Sequence, residues 1–71
     1  MKIRPKDPRA LAIFMVKSGY TCRGLARAAG LSDSTVANLL DPHGRGCNPS
    51  TAQKLCRALG MDFDDLFVIT D

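Results

Sequence analysis

Long apolar runs are missing from this chain. The longest, Ala10 to Val16, is far short of the roughly 20 residues that a membrane-spanning helix needs. The basic start is followed by no apolar core and cleavage site, so no secretory signal is legible and a cytoplasmic location is expected. Cysteine is scarce and odd in number: Cys22, Cys47 and Cys56 form no C-x-x-C pair, which argues against a disulfide framework or a zinc site. Cys56 lies on an apolar helical stripe, where a buried thiol acts as a small hydrophobe. Histidine occurs once, at His43, so a catalytic triad or metal cluster has no second member to work with. No enzyme activity, cofactor, metal or small-molecule ligand is expected. At 71 residues the chain allows one domain, 1–71, with a small core.

Acidic charge is thin over most of the length. Residues 1–61 carry all ten Lys and Arg against Asp7, Asp33 and Asp41, about +7 in formal charge. The last ten residues hold Asp62, Asp64, Asp65 and Asp71 and no cation. A cationic body with an acidic end suits a polyanionic partner on one side only.

Helix signals occupy the rest. Asp7-Pro8 opens a first helix with a capping acceptor and a proline at the first position, where a missing N–H costs nothing. That helix runs to about Ser18 and stops at Gly19, with Leu11, Phe14 and either Met15 or Ser18 inward. Thr21 caps a second helix, Cys22 to Ala29, whose Leu25, Ala26 and Ala29 form one apolar stripe before Gly30 ends it. Leu31 seals the corner and Ser32 caps a third helix, about Asp33 to Leu40, with Val36, Leu39 and Leu40 inward. The outer face of this third helix carries Asp33, Ser34, Thr35, Ala37 and Asn38, short polar side chains that a DNA major groove can accommodate. A loop, Asp41 to Cys47, follows. Asn48-Pro49 then starts a fourth helix ending at Gly60, with Ala52, Leu55, Cys56 and Leu59 buried. Asp62 caps a fifth helix, with Asp65 in a capping-box-like place and Phe63, Leu66 and Phe67 inward.

From Thr21 to Leu39 the chain resembles the helix-turn-helix of the phage Cro and C1 repressor-like family, also called the XRE family. The matching pieces are Thr21, Leu25-Ala26, Gly30-Leu31-Ser32, Thr35-Val36 and Leu39, followed by Leu55 to Met61 and Asp62 to Phe67 as the family's fourth and fifth helices. The resemblance implies an all-α bundle of five short helices of the lambda-repressor type, with a short C-terminal strand as an option. It also implies that the third helix enters the major groove of double-stranded DNA. Asp33, Ser34 and Asn38 would then project toward base edges, with Asn38 the best candidate because an amide can pair in bidentate fashion with adenine. Asp33 could accept from a cytosine amino group, but its position in the first turn is better explained as a favourable charge for the helix dipole. Ser32 and Thr35 would lie near phosphates, joined by Arg23 and Arg27 on the second helix and Arg45 in the loop. His43 reads as exposed polar surface or as a further DNA contact.

The two ends leave alternatives open. Residues 1–6, with Lys2, Arg4 and Lys6 around Pro5, read as a basic arm that follows DNA or as a solvated terminus. The tail, 67–71, contains the β-branched run Phe67-Val68-Ile69-Thr70. It fits a strand pairing with its twin across a two-fold axis, or a segment packed on the first helix of its own chain. Ile13, Met15 and Val16 fall where relatives more often carry polar residues, which is excess apolar surface for a small monomer. A homodimer through Ile13, Val16, Phe67, Val68 and Ile69 would cover it. The expected function is sequence-specific DNA binding, as a repressor or Cro-like switch protein blocking transcription at an operator. The alternative is an antitoxin-type interaction module, since one fold hosts several functions.

Overall fold

A computed structural model describes residues 2–70. Met1 and Asp71, the outermost residues of the expected arm and tail, lie outside the described residues. The order of elements is β1 (Lys2–Pro5), α1 (Pro8–Lys17), α2 (Cys22–Ala29), α3 (Asp33–Leu40), α4 (Pro49–Leu59), α5 (Phe63–Leu66) and β2 (Phe67–Thr70). The five helices expected from the spacing are present. The bundle is not purely helical, however, because both ends of the chain join in a two-stranded sheet.

Four helices begin on a side chain that accepts from their first turn. Asp7 Oδ1 accepts from the Arg9 N–H at 3.0 Å, Thr21 Oγ1 from Gly24 at 3.0 Å, Ser32 Oγ from Thr35 at 3.1 Å and Asn48 Oδ1 from Thr51 at 2.8 Å. Each satisfies an N–H with no partner inside its helix and contributes about 1 kcal/mol. Asp62 departs from expectation: it stands at the start of α5, but its carboxylate makes no capping bond. At four residues α5 is a single turn, and the chain leaves it at Leu66, so Phe67 opens β2 and is not part of the helix.

The core gathers one stripe from each helix. Leu25, Ala26, Val36, Leu39, Ala52 and Leu55 are each at most 1% exposed, with α2 packed on α3 and α4, and α1 packed on α3. Met15 belongs to this core and is no part of an apolar surface; Phe14 and Leu59 are half-buried at its edge. Ile13 and Val16 are exposed, as expected, at 47% and 68%.

The ends correct the expectations most. β1 and β2 run antiparallel, with Lys2 opposite Thr70, Ile3 opposite Ile69, Arg4 opposite Val68 and Pro5 opposite Phe67. The tail therefore pairs with the chain's own N-terminus, not with α1. Residues 2–5 are neither a loose arm nor a frayed end. The reason lies in the alternation Lys2-Ile3-Arg4-Pro5-Lys6, the period of two of a half-covered strand: Ile3 is buried among core residues while Lys2 and Arg4 stay exposed. Phe67, expected both inward with Phe63 and on a dimer surface, is 1% exposed in the core, where its ring lies 5.5 Å from that of Phe63. It is not available to a second subunit.

Candidate nucleic-acid interface

α2 and α3 are joined by a three-residue turn whose geometry follows from its residues. Gly30 adopts the left-handed conformation at φ 73°, which costs glycine nothing and other residues a steric penalty. The Leu31 N–H donates to the Ala26 carbonyl at 2.7 Å, and Leu31 is half-buried over the corner. This turn sets α3 against α2 with its polar face outward. Asp33, Ser34 and Ala37 are exposed there, and Asn38 is half-exposed.

Six of the eight expected site residues fall into three pairs, with Ser34 and Arg27 standing outside them. Ser32 and Thr35 form one unit: the Ser32 hydroxyl caps α3 and lies 2.7 Å from the Thr35 hydroxyl. One O–H donor remains across the pair, enough for one phosphate oxygen. Arg23 and Asp33 form a second unit across the turn, with Arg23 Nε donating to Asp33 Oδ2 at 3.4 Å. Their side chains are 75% and 59% exposed, so the pair is solvent-screened and contributes under about 1 kcal/mol. A phosphate can take Arg23 from it cheaply. Arg27 is exposed and has no ion-pair partner among the described residues.

Asn38 and Arg45 form the third unit, one that the sequence did not disclose. Asn38 Nδ2 donates to the Arg45 carbonyl at 2.8 Å, and Asn38 Oδ1 accepts from the Arg45 N–H at 2.7 Å. The amide edge that would pair with adenine is thus already paired with backbone. The loop closes on α3 tightly enough that a Cβ on Gly44 would overlap the Asn38 carbonyl. Arg45 is consequently held with its exposed side chain beside α3.

Around this clasp lies an open cleft of about 510 Å³ lined by Ser34, Thr35, Asn38, Arg45, Asn48 and Thr51. The sequence does not announce Asn48 and Thr51 as part of this cleft, because Asn48-Pro49 reads there only as a helix start. Nothing in linear spacing says that the loop folds back and brings the first turn of α4 alongside α3. The lining offers hydroxyls, amides and one guanidinium, which suits contacts to phosphate and sugar.

The cysteines stand apart from this chemistry. Burial pushes the Cys47 thiol up, with Cys56 adding to the effect, and burial followed by Asp62 and Asp65 pushes up Cys56. Both are held as neutral thiols, poor nucleophiles and poor ligands. Among the described residues no three His, Cys, Asp or Glu side chains cluster to hold a metal, and no helix is long and apolar enough to cross a membrane.

The two helices, the glycine turn and the protruding polar face define a helix-turn-helix protein. The chain belongs to the family described as the Cro/C1-type helix-turn-helix DNA-binding domain, whose model matches residues 10–71. A search of curated proteins found no match. Among solved structures, a mutant hydroxyethylphosphonate dioxygenase contains a region similar to the whole of this chain, at 30% identity and a TM-score of 0.73. The chain spans only 14% of that protein's length.

Proposed function

We propose that the protein binds double-stranded DNA at specific sequences and represses transcription, as a repressor or Cro-like switch protein, by occupying an operator. The observation that carries this reading is the exposed polar face of α3, fixed by the Gly30 turn and flanked by cations within a chain of the Cro/C1 family. α3 lies in the major groove, where Asp33 and Ser34 face base edges. Asn38 contributes by holding Arg45 toward the duplex, with its adenine-pairing edge occupied unless the loop opens. Arg23, Arg27, Arg45 and the Ser32–Thr35 hydroxyl pair hold phosphates. No arginine lies on the reading face of α3, so part of the specificity comes from water-mediated contacts and DNA shape.

Two copies would read half-sites about 34 Å apart, joined through Ile13, Val16, Val68 and Ile69, all exposed. The test is selection from a random duplex pool at about 0.15 M salt, where non-specific binding is weak. An inverted repeat is expected. A single half-site would retain specific binding but remove the dimer, and no enrichment by folded protein would overturn the reading.

A further inference from the structure

The strand β1 has a polar use that the helix-turn-helix does not absorb. Its partner on one side is β2; on the other, the Cys47 N–H donates to the Ile3 carbonyl at 2.8 Å. β1 is thereby stitched to the end of the loop that Asn38 clasps to α3. A Cβ on Gly46 would stand 2.8 Å from that same Ile3 carbonyl, so only glycine lets strand and loop approach this closely. Between them lies a cleft of about 520 Å³ lined by Lys2 and Arg4 from β1 and by His43, Gly44, Arg45, Gly46 and Cys47 from the loop.

The cleft's charge is of one sign. Lys2 and Arg4 sit two residues apart on one face of β1, opposite to buried Ile3, and converge with Arg45 from the loop. None of the three has an ion-pair partner among the described residues, and no carboxylate lines the cleft. Asp41 stands in the adjoining cleft, where its Oδ1 accepts from the His43 N–H at 2.9 Å. Three cations gathered without a counter-charge repel one another, and an anion relieves that repulsion. Arg45 also lines the cleft beside α3, so one guanidinium borders both clefts and links α3 to β1.

We propose that the β1–loop cleft is a second phosphate-binding site, taking backbone phosphates of the duplex beyond those reached by α2 and α3. It rests on the DNA-binding reading above and extends the footprint outward from the C-terminal end of α3. The terminal sheet is then part of the DNA-binding surface as well as a closure for the core.

The experiment uses the full chain, wild type and the double variant Lys2→Gln/Arg4→Gln, with far-UV circular dichroism and a thermal melt confirming that both fold. Binding is measured against salt on two duplexes carrying the selected site, one trimmed to it and one extended by about one turn, roughly 10 base pairs, on each side. On the extended duplex the variant is expected to lose about tenfold in affinity, and its salt slope to shrink by roughly 1.8, about 0.9 for each phosphate released. On the trimmed duplex the two proteins should bind nearly alike. Equal affinity and slope on the extended duplex would overturn the second site while leaving the helix-turn-helix reading intact. A wild type with no base preference on either duplex would overturn that reading and the cleft's assignment with it.

Discussion

At the scale of single residues, the Asn38 amide is committed to the chain's own loop, and this sets what the proposed interface can ask of it. An amide on a reading helix invites the adenine pairing, but here its donor and acceptor are both spent on Arg45. Asn38→Ala removes two hydrogen bonds, each a net contribution of about 1 kcal/mol, and frees the loop. The expected outcome is faster amide exchange at Arg45 and a uniform loss of affinity, with the recovered sequence unchanged. A changed base at one position would return Asn38 to direct reading. Arg27→Ala tests the phosphate side: all sequences should weaken alike and the salt slope should fall by about 0.9, with no shift in preference. The thiols give a pH prediction. Cys47 and Cys56 are raised by burial, so the folded chain keeps its protons to higher pH than the unfolded chain does. Stability from this source is complete below the ordinary thiol range, about 8.5, and is lost as pH rises through the raised values. Urea unfolding from pH 7.5 to 10 should show that decline, and Cys56→Ala should flatten part of it.

Among the elements, the sheet carries the prediction that separates structure from sequence. Phe67 is fully enclosed beside Phe63, so Phe67→Ala should cost about 3–5 kcal/mol, read as a fall in the urea midpoint. Val68→Ala, on a half-exposed strand position, should cost far less. Equal effects would mean that the tail does not pack as described. The helices were legible beforehand because their signals are local: Asp7, Thr21, Ser32 and Asn48 sit where their caps form, and Leu25, Val36 and Leu55 lie on the stripes that are buried. Of the strands, the β-branched run Phe67 to Thr70 was legible as an option, but its pairing with β1 was not, because the partner is 60-odd residues away and pairing leaves no mark in spacing. The alternation around Ile3 was present but masked by its charges. The site divides the same way. The exposure of Arg23, Arg27 and Ser34 on their helix faces was legible from the motif, while the Asn38–Arg45 clasp depends on how the loop folds back.

For the whole molecule, the sheet has two strands and its outer edge is the free side of β2. Ile3 turns its carbonyl away from β2, toward Cys47. In an antiparallel pair, opposed residues point their polar backbone groups the same way relative to the ladder, both inward or both outward. Ile69, opposite Ile3, therefore directs its N–H and C=O outward, where no described residue bonds them. With Ile69 52% and Val68 40% exposed, this edge is of the kind that pairs with another strand. Two copies joined here across a two-fold axis would make one four-stranded sheet, with Ile13 and Val16 adding apolar area if α1 flanks the joint. Proline at an outward-facing edge position removes a donor without breaking the chain's own ladder. Ile69→Pro should thus keep the thermal midpoint near that of the wild type while halving the mass seen in sedimentation. Ile13→Asp should weaken the dimer without abolishing it. If Ile13→Asp alone yields monomer and Ile69→Pro does not, α1 is the interface and the strand edge is free. A wild type that sediments as a monomer throughout would mean that each chain reads its half-site alone.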